Sequence, residues 1–186
     1  MKVFLDFGGN KGQGLKEFVK MYNMDSTWTI ETFEPNENCE IERYLPNMSI
    51  KINNSAIWVY NGFVNFSNMI ENNEGSSVEC LMSEGDCLNP NSDSFRKHDN
   101  IISVKCLDIS EVLERYRGYD LVVVKMDIEG SEFKVLRKAI SDDSISIIND
   151  LYVEWHHVYV VGEDIQSVNK LKSEIINKGI KLSEWH

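Results

Sequence analysis

Short apolar runs alternate with helically spaced apolar positions along most of this chain. Lys2–Phe7 (KVFLDF) reads as an apolar strand that runs into a Gly-rich turn, Gly8–Gly14. Leu15, Phe18, Val19 and Tyr22 then recur at helical spacing. Thr27–Phe33 reads as a second strand closed by Glu34-Pro35-Asn36, with a helix over Glu37–Tyr44 and a third strand at Ser49–Ile52. Ala56–Tyr60 and Phe63–Phe66 flank Asn61-Gly62, the two-residue turn signal of a β-hairpin. Residues 67–100, rich in Ser, Asn, Asp and Glu, lose the rhythm and read as a surface loop or lid.

Order returns at Ile101–Cys106. Asp108 is placed to cap a helix carrying Ile109, Val112 and Leu113. Asp120–Met126 is the most continuously apolar strand, the mark of a central strand covered on both faces. Ser131 is a candidate cap for a helix through Ala139. Asp150–Trp155, Ile165–Lys178 and Gly179–Trp185 follow as strand, helix and strand. Strands alternating with helices predict an α/β fold with a mainly parallel central sheet, whose ligands sit beyond the carboxyl ends of the strands. With no repeat and no linker, residues 1–186 read as a single domain.

Composition narrows the partners. Lys+Arg 19 against Asp+Glu 30 gives a net charge of −11, which repels a phosphate backbone and argues against nucleic acid. No run is long and apolar enough for a membrane helix, and the four cysteines form neither a zinc motif nor a disulfide framework. These features predict a reduced, cytoplasmic protein without a membrane partner; a monomer or a homodimer is expected.

Four constellations carry the candidate chemistry. The first turn, Asp6-Phe-Gly-Gly-Asn-Lys-Gly12, has an acid and glycines but neither the GxGxxG of a dinucleotide site nor a P-loop. That suits a nucleoside bearing an ammonium or sulfonium group better than one bearing phosphates. Glu34, ending the second strand, is placed to accept hydrogen bonds from ribose hydroxyls, with Pro35 fixing its turn. Lys125-Met-Asp127-Ile-Glu129-Gly130-Ser-Glu132 sets a lysine and three carboxylates at the ligand edge of the sheet; Glu132 also suits the first turn of its helix. Glu154-Trp155-His156-His157 ends the next strand, where a histidine can act as general base or metal ligand.

VFLDFGGNKG, ETFEPNEN, NNSAIWVYNGFVNF, VKCLDISEVL, VVVKMDIEGSEFKVL and YVEWH, in that order, resemble the FkbM-type S-adenosylmethionine-dependent methyltransferases. The resemblance implies a class I methyltransferase fold: a Rossmann-like three-layer sandwich with a seven-stranded sheet whose last strand is antiparallel. It implies methyl transfer from S-adenosylmethionine to oxygen, with a hydroxyl of a sugar or glycan as acceptor, as in glycan decoration by viruses or microbes. Asp6, Gly8, Gly9, Asn10 and Gly12 would hold the methionine part of the cofactor, and Glu34 with Pro35 the ribose. Ser55 and Ala56 would lie beside the adenine, although serine departs from the usual acid there. Asp127 would face the sulfonium or the substrate, and Glu129 the substrate pocket.

The chain starts at the first strand and ends soon after His156. The resemblance then implies an acceptor site that is open, or completed by residues 67–100 or a partner subunit. Asp127, His156 and Glu129, in that order, are the candidate bases, with Lys125 as electrostatic helper. A divalent cation held by Asp127 with Glu154 or His156 is the alternative to metal-independent chemistry. A non-sugar small molecule or a lipid remains as acceptor, as does a cofactor-binding module without catalysis. Trp58, Phe95, Trp155 and Tyr159 are the aromatics expected near the pocket.

Overall fold

Alternation within the first strand sets up the two sides of the molecule, because successive side chains point to opposite faces. The structure, a computed structural model, describes residues 1–37, 49–67, 101–160 and 162–186. In chain order its elements are β1 (Lys2–Phe7), α1 (Gln13–Met21), β2 (Trp28–Phe33), β3 (Ile50–Asn53), β4 (Ala56–Trp58), β5 (Gly62–Ser67) and β6 (Ile101–Asp108). They continue with α2 (Ile109–Glu114), β7 (Leu121–Met126), α3 (Glu132–Ser141), β8 (Asp150–Val153), α4 (Ile165–Asn177) and β9 (Lys181–Glu184). Short 3-10 turns stand at Ser144–Ile147 and His157–Tyr159.

Six strands form a central sheet in the order β3-β2-β1-β7-β8-β9. On one face Phe4 and Val123 pack with Leu15 and Phe18 of α1. On the other, Val3, Leu5, Phe7, Val122 and Val124 pack with Phe133, Val135 and Leu136 of α3 and Leu171 and Ile175 of α4. Helices on both faces of a parallel sheet make the α/β, Rossmann-like architecture that the strand–helix alternation predicts. Each fully buried side chain of Phe18 or Leu136 size contributes on the order of 1.5–3 kcal/mol.

Two expectations need correction. β9 runs parallel to β8, so the described sheet has six strands and no antiparallel last strand. The cause is α4, which carries the chain back across the sheet and restores its direction, as a βαβ crossover does. The Asn61-Gly62 hairpin does not form either. β4 and β5 lie on opposite edges of β6, in a separate sheet of order β4-β6-β5, with β4 parallel and β5 antiparallel to it. Pairing with β6 buries Val64, Phe66, Val104 and Cys106, which a two-stranded ribbon would leave wet. Asn61 instead uses its Oδ1 to accept from the Asp108 N–H at 3.0 Å.

Asp108 caps α2, its Oδ1 accepting from the Ser110 N–H at 2.8 Å. The expected strand over Asp150–Trp155 ends at Val153, which frees Glu154 and Trp155 for the sheet edge. Most of the expected helix over Glu37–Tyr44 and nearly all of the loop over 67–100 lie outside the described residues; Ser67 is the last residue of β5. Among the described residues, no helix is long and apolar enough to cross a membrane.

Candidate active site

Register delivers the site. Phe7 aligns with Phe33 on one side and Met126 on the other, and Met126 with Val153, so β2, β1, β7 and β8 end along one line. The next residues stay tied to that line. Gly8 N–H donates to Phe33 O, Asp127 N–H to Phe7 O and Glu154 N–H to Met126 O, each at 3.0 Å. The same register sets Asp6 beside Lys125, on the same face as Phe4 and Val123. Lys125 Nζ lies 3.2 Å from Asp6 Oδ1 and 3.4 Å from Asp127 Oδ2, and donates to Gly8 O at 2.9 Å.

Burial works against the Lys125 ammonium, but the Asp6 and Asp127 carboxylates outweigh it and hold its pKa above the ordinary value. Burial pushes the Asp6 carboxyl up, and Lys125 offsets this only in part. Neither Asp6 oxygen receives a well-directed hydrogen bond.

The turn after β1 admits no side chain at its first position. Gly8 has φ +81°, and a Cβ there would stand 1.8 Å from Asp127 O. Gly9 N–H reaches Phe33 O at 3.4 Å, and Gly12, at φ 80°, opens α1 after donating to Gly9 O at 2.7 Å. Asn10, also at positive φ, donates its N–H to Glu34 Oε2 at 2.9 Å. Glu34 Oε1 accepts from the Asn36 N–H at 2.9 Å, across Pro35. One buried carboxylate thereby ties the turns after β1 and β2 together. Burial raises its pKa, and these two N–H groups offset part of that. Ser55 and Ala56 are buried just past the end of β3, where Asn53 aligns with Phe33 and accepts from the Ser55 N–H at 2.8 Å.

The turn after β7 bends sharply through Glu129 at φ 55° and Gly130 at φ 103°. Left-handed backbone in a glutamate costs roughly 1–3 kcal/mol and persists where its surroundings hold it. Here the turn aims Glu129 at His156, whose Nε2 lies 3.6 Å from Glu129 Oε2, 3.6 Å from Glu154 Oε1 and 4.0 Å from Asp127 Oδ1. The other ring nitrogen, Nδ1, is 2.9 Å from Glu132 Oε1. Burial disfavours the imidazolium, but Glu132, Glu129 and Asp127 outweigh it and push the His156 pKa up to about 9. The ring therefore carries its charge near neutral pH in the ligand-free protein. Asp127, Glu129 and His156 also offer ligand atoms within 4.8 Å of one another, a spacing a divalent cation can use.

The structure thus brings the expected residues into two adjoining groups. Asp6, Gly8, Lys125 and Asp127 form one, with Glu34 at its side; Asp127, Glu129, Glu154 and His156 form the other. Ser131 does not cap α3, since its hydroxyl is buried without a hydrogen-bond partner. Glu132 does not cap the helix either; it ties down the turn before α3, accepting from the Ile128 N–H at 3.2 Å and the Gly130 N–H at 2.8 Å. Sequence reasoning counted Glu132 among the acids at the ligand edge but gave it only a role in the first turn of its helix. The available signal was an acid among the buried positions of an apolar helix. Trp58 is a core residue of β4, in the separate β4-β6-β5 sheet. Trp155 packs against Phe133, 5.8 Å between ring centroids. Phe95 lies outside the described residues.

A family model described as the methyltransferase FkbM domain matches residues 6–173, a stretch holding every site residue above. No curated protein and no solved structure matches the chain.

Proposed function

The chain belongs to the FkbM methyltransferase family, and from that premise we propose that it methylates a hydroxyl oxygen of a sugar or glycan, with S-adenosylmethionine as donor. When bound, the methyl donor usual in the family would supply an electrophilic methyl group on a sulfonium sulfur, with a neutral thioether as leaving group. The residues present suit such a group. A buried Asp6 carboxylate without a directed hydrogen bond fits a cationic ligand. The turn at Gly8 brings bare backbone to the sheet edge, and an acid-rich surround disfavours a phosphate. Asp6, Gly8, Gly9, Asn10 and Gly12 would hold the methionine portion. Glu34, with Pro35 shaping its turn, would accept from the ribose, and Ser55 and Ala56 would flank the base.

The observation that carries the acceptor reading is the convergence of three carboxylates, Asp127, Glu129 and Glu154, on His156 Nε2. Hydroxyls are donors that such acceptors orient, and one of them must take the proton as the oxygen attacks. Asp127 is the best placed. It stands between Lys125 and His156, half-buried, and the two cations steady the carboxylate in position. Holding donor and acceptor in line supplies much of the rate for this chemistry.

Labelled S-adenosylmethionine incubated with a panel of methyl glycosides tests the reading. Labelled methyl ether on a sugar supports it. Transfer only to lipid or other non-sugar hydroxyls would overturn the sugar assignment, and binding without transfer would favour a non-catalytic module. A second reading rests on the ligand spacing of Asp127, Glu129 and His156: a divalent cation there would lower the pKa of the hydroxyl. Loss of transfer on chelation, restored by Mg2+ or Mn2+, would select it.

A further inference from the structure

Glu132 is fully buried on α3 beside Phe133, Val135 and Leu136, where an apolar residue would pack without desolvating a charge. Its carboxylate is nonetheless fully engaged. Oε2 accepts from the Gly130 N–H, and Oε1 accepts from the Ile128 N–H while facing His156 Nδ1 at 2.9 Å. The two N–H donors belong to the turn that carries Asp127 and Glu129, and the ring follows β8. One carboxylate therefore locks the acid-bearing turn to the imidazole of the neighbouring strand. Because Nδ1 is taken, Nε2 is the nitrogen turned toward Asp127, Glu129 and Glu154. A ring flipped about its axis would present carbon there.

We propose that Glu132 is the positioning residue of the acceptor site, acting through His156 to fix which ring nitrogen faces the reacting hydroxyl. This deepens the hydroxyl-methylation reading and rests on it. An acid that only tied its turn would add stability but would leave the ring free to choose its face. For metal-ligating histidines, removing the carboxylate that orients the ring typically costs about 10–100-fold in metal affinity or activity, and a loss of that order is expected here.

The test is a double-mutant cycle with a spectroscopic arm. Glu132→Gln should lower kcat for the best acceptor of the glycoside panel by about 10–100-fold, with S-adenosylhomocysteine affinity unchanged. In a His156→Asn background the same change should cost nothing further. In histidine-labelled wild-type protein, 15N spectra should show a proton on His156 Nδ1, shifted downfield by the carboxylate. Equal losses in both backgrounds, or an unprotonated Nδ1 in the wild type, would overturn the proposal. The wild-type spectrum decides alone if Glu132→Gln does not fold. Should the wild type neither bind S-adenosylhomocysteine nor methylate anything, the functional reading fails, while the spectrum still reports on the Glu132–His156 pair.

Discussion

Lys138 and Lys125 are each held by two aspartates, yet they do different work. Lys138 on α3 lies 3.6 Å from Asp108 and 2.5 Å from Asp142, with 31% of its side chain exposed. Around it the partners are satisfied: Asp142 accepts from the Ser110 hydroxyl and the Ser144 N–H, and Asp108 from the Ser110 N–H. Burial opposes the Asp142 charge, but Lys138, Ser110 and Ser144 overcome it and hold its pKa at about 2. Lys125 is 5% exposed, and its partner Asp6 shifts the other way, upward, with no directed hydrogen bond on either oxygen. A satisfied cluster fastens helices together. A buried cluster left short of hydrogen bonds, at the edge where folds of this kind take ligands, has room for a further partner, as the proposed cofactor site requires.

Asp127 carries the largest expected effect. Asp127→Ala should lower methyl transfer by about 10³-fold, some 4 kcal/mol, and melt close to the wild type. Asp142→Ala should transfer methyl at the wild-type rate. A labelled-methyl assay with thermal melts checks both, and wild-type turnover in Asp127→Ala would remove that residue from the chemistry. Next comes Lys125→Met, which strands the buried Asp6 charge and should cost about 3–5 kcal/mol in denaturant unfolding. Lys138→Met should cost under about 1 kcal/mol, because its partners remain in contact with water. Similar losses for the two would erase the distinction.

Smaller effects sharpen it. Glu129→Gly relieves a left-handed backbone worth roughly 1 kcal/mol, so the variant should melt no lower than wild type while transfer falls. A clear drop in melting temperature would contradict strain at that turn. Asp142 supplies the pH effect. Its folded pKa, about 2, lies below the ordinary 3.8, so its contribution is present above about pH 4 and fades as pH falls through 2. Acid titrations of Asp142→Asn should lose that part of the stability profile. An unchanged profile would remove Asp142 from the acid response.

Much of the frame was legible because it is written locally. The apolar run Leu121–Met126, buried from Val122 on, declares a doubly covered strand, and Asp108 declares a helix start. Asp6, Lys125, Asp127 and His156 could be singled out for the same reason, since charged residues directly at or after apolar strands have few structural uses, and the structure brings them together at the strand ends. What escaped was decided by contacts between distant segments. Asn61-Gly62 is a sound turn signal, but β6 arrives from further along the chain and separates the strands it was expected to join. The antiparallel last strand was an expectation of the resemblance alone; the helix spaced between Asp150–Trp155 and Gly179–Trp185 already pointed to the parallel return that β9 makes. Glu132 looked like an ordinary first-turn acid, since sequence spacing does not tell a solvated acid from one enclosed against His156.

The most direct test of the account is calorimetric titration of S-adenosylhomocysteine into the wild type, Glu34→Ala and Asp142→Ala, each first shown to be folded by its melting curve. The account predicts binding to the wild type and to Asp142→Ala, with at least tenfold weaker binding, about 1.4 kcal/mol, to Glu34→Ala. A folded wild type that does not bind, or equal affinity in all three proteins, would contradict the claim that the edge joining Asp6, Glu34 and Lys125 is the cofactor site.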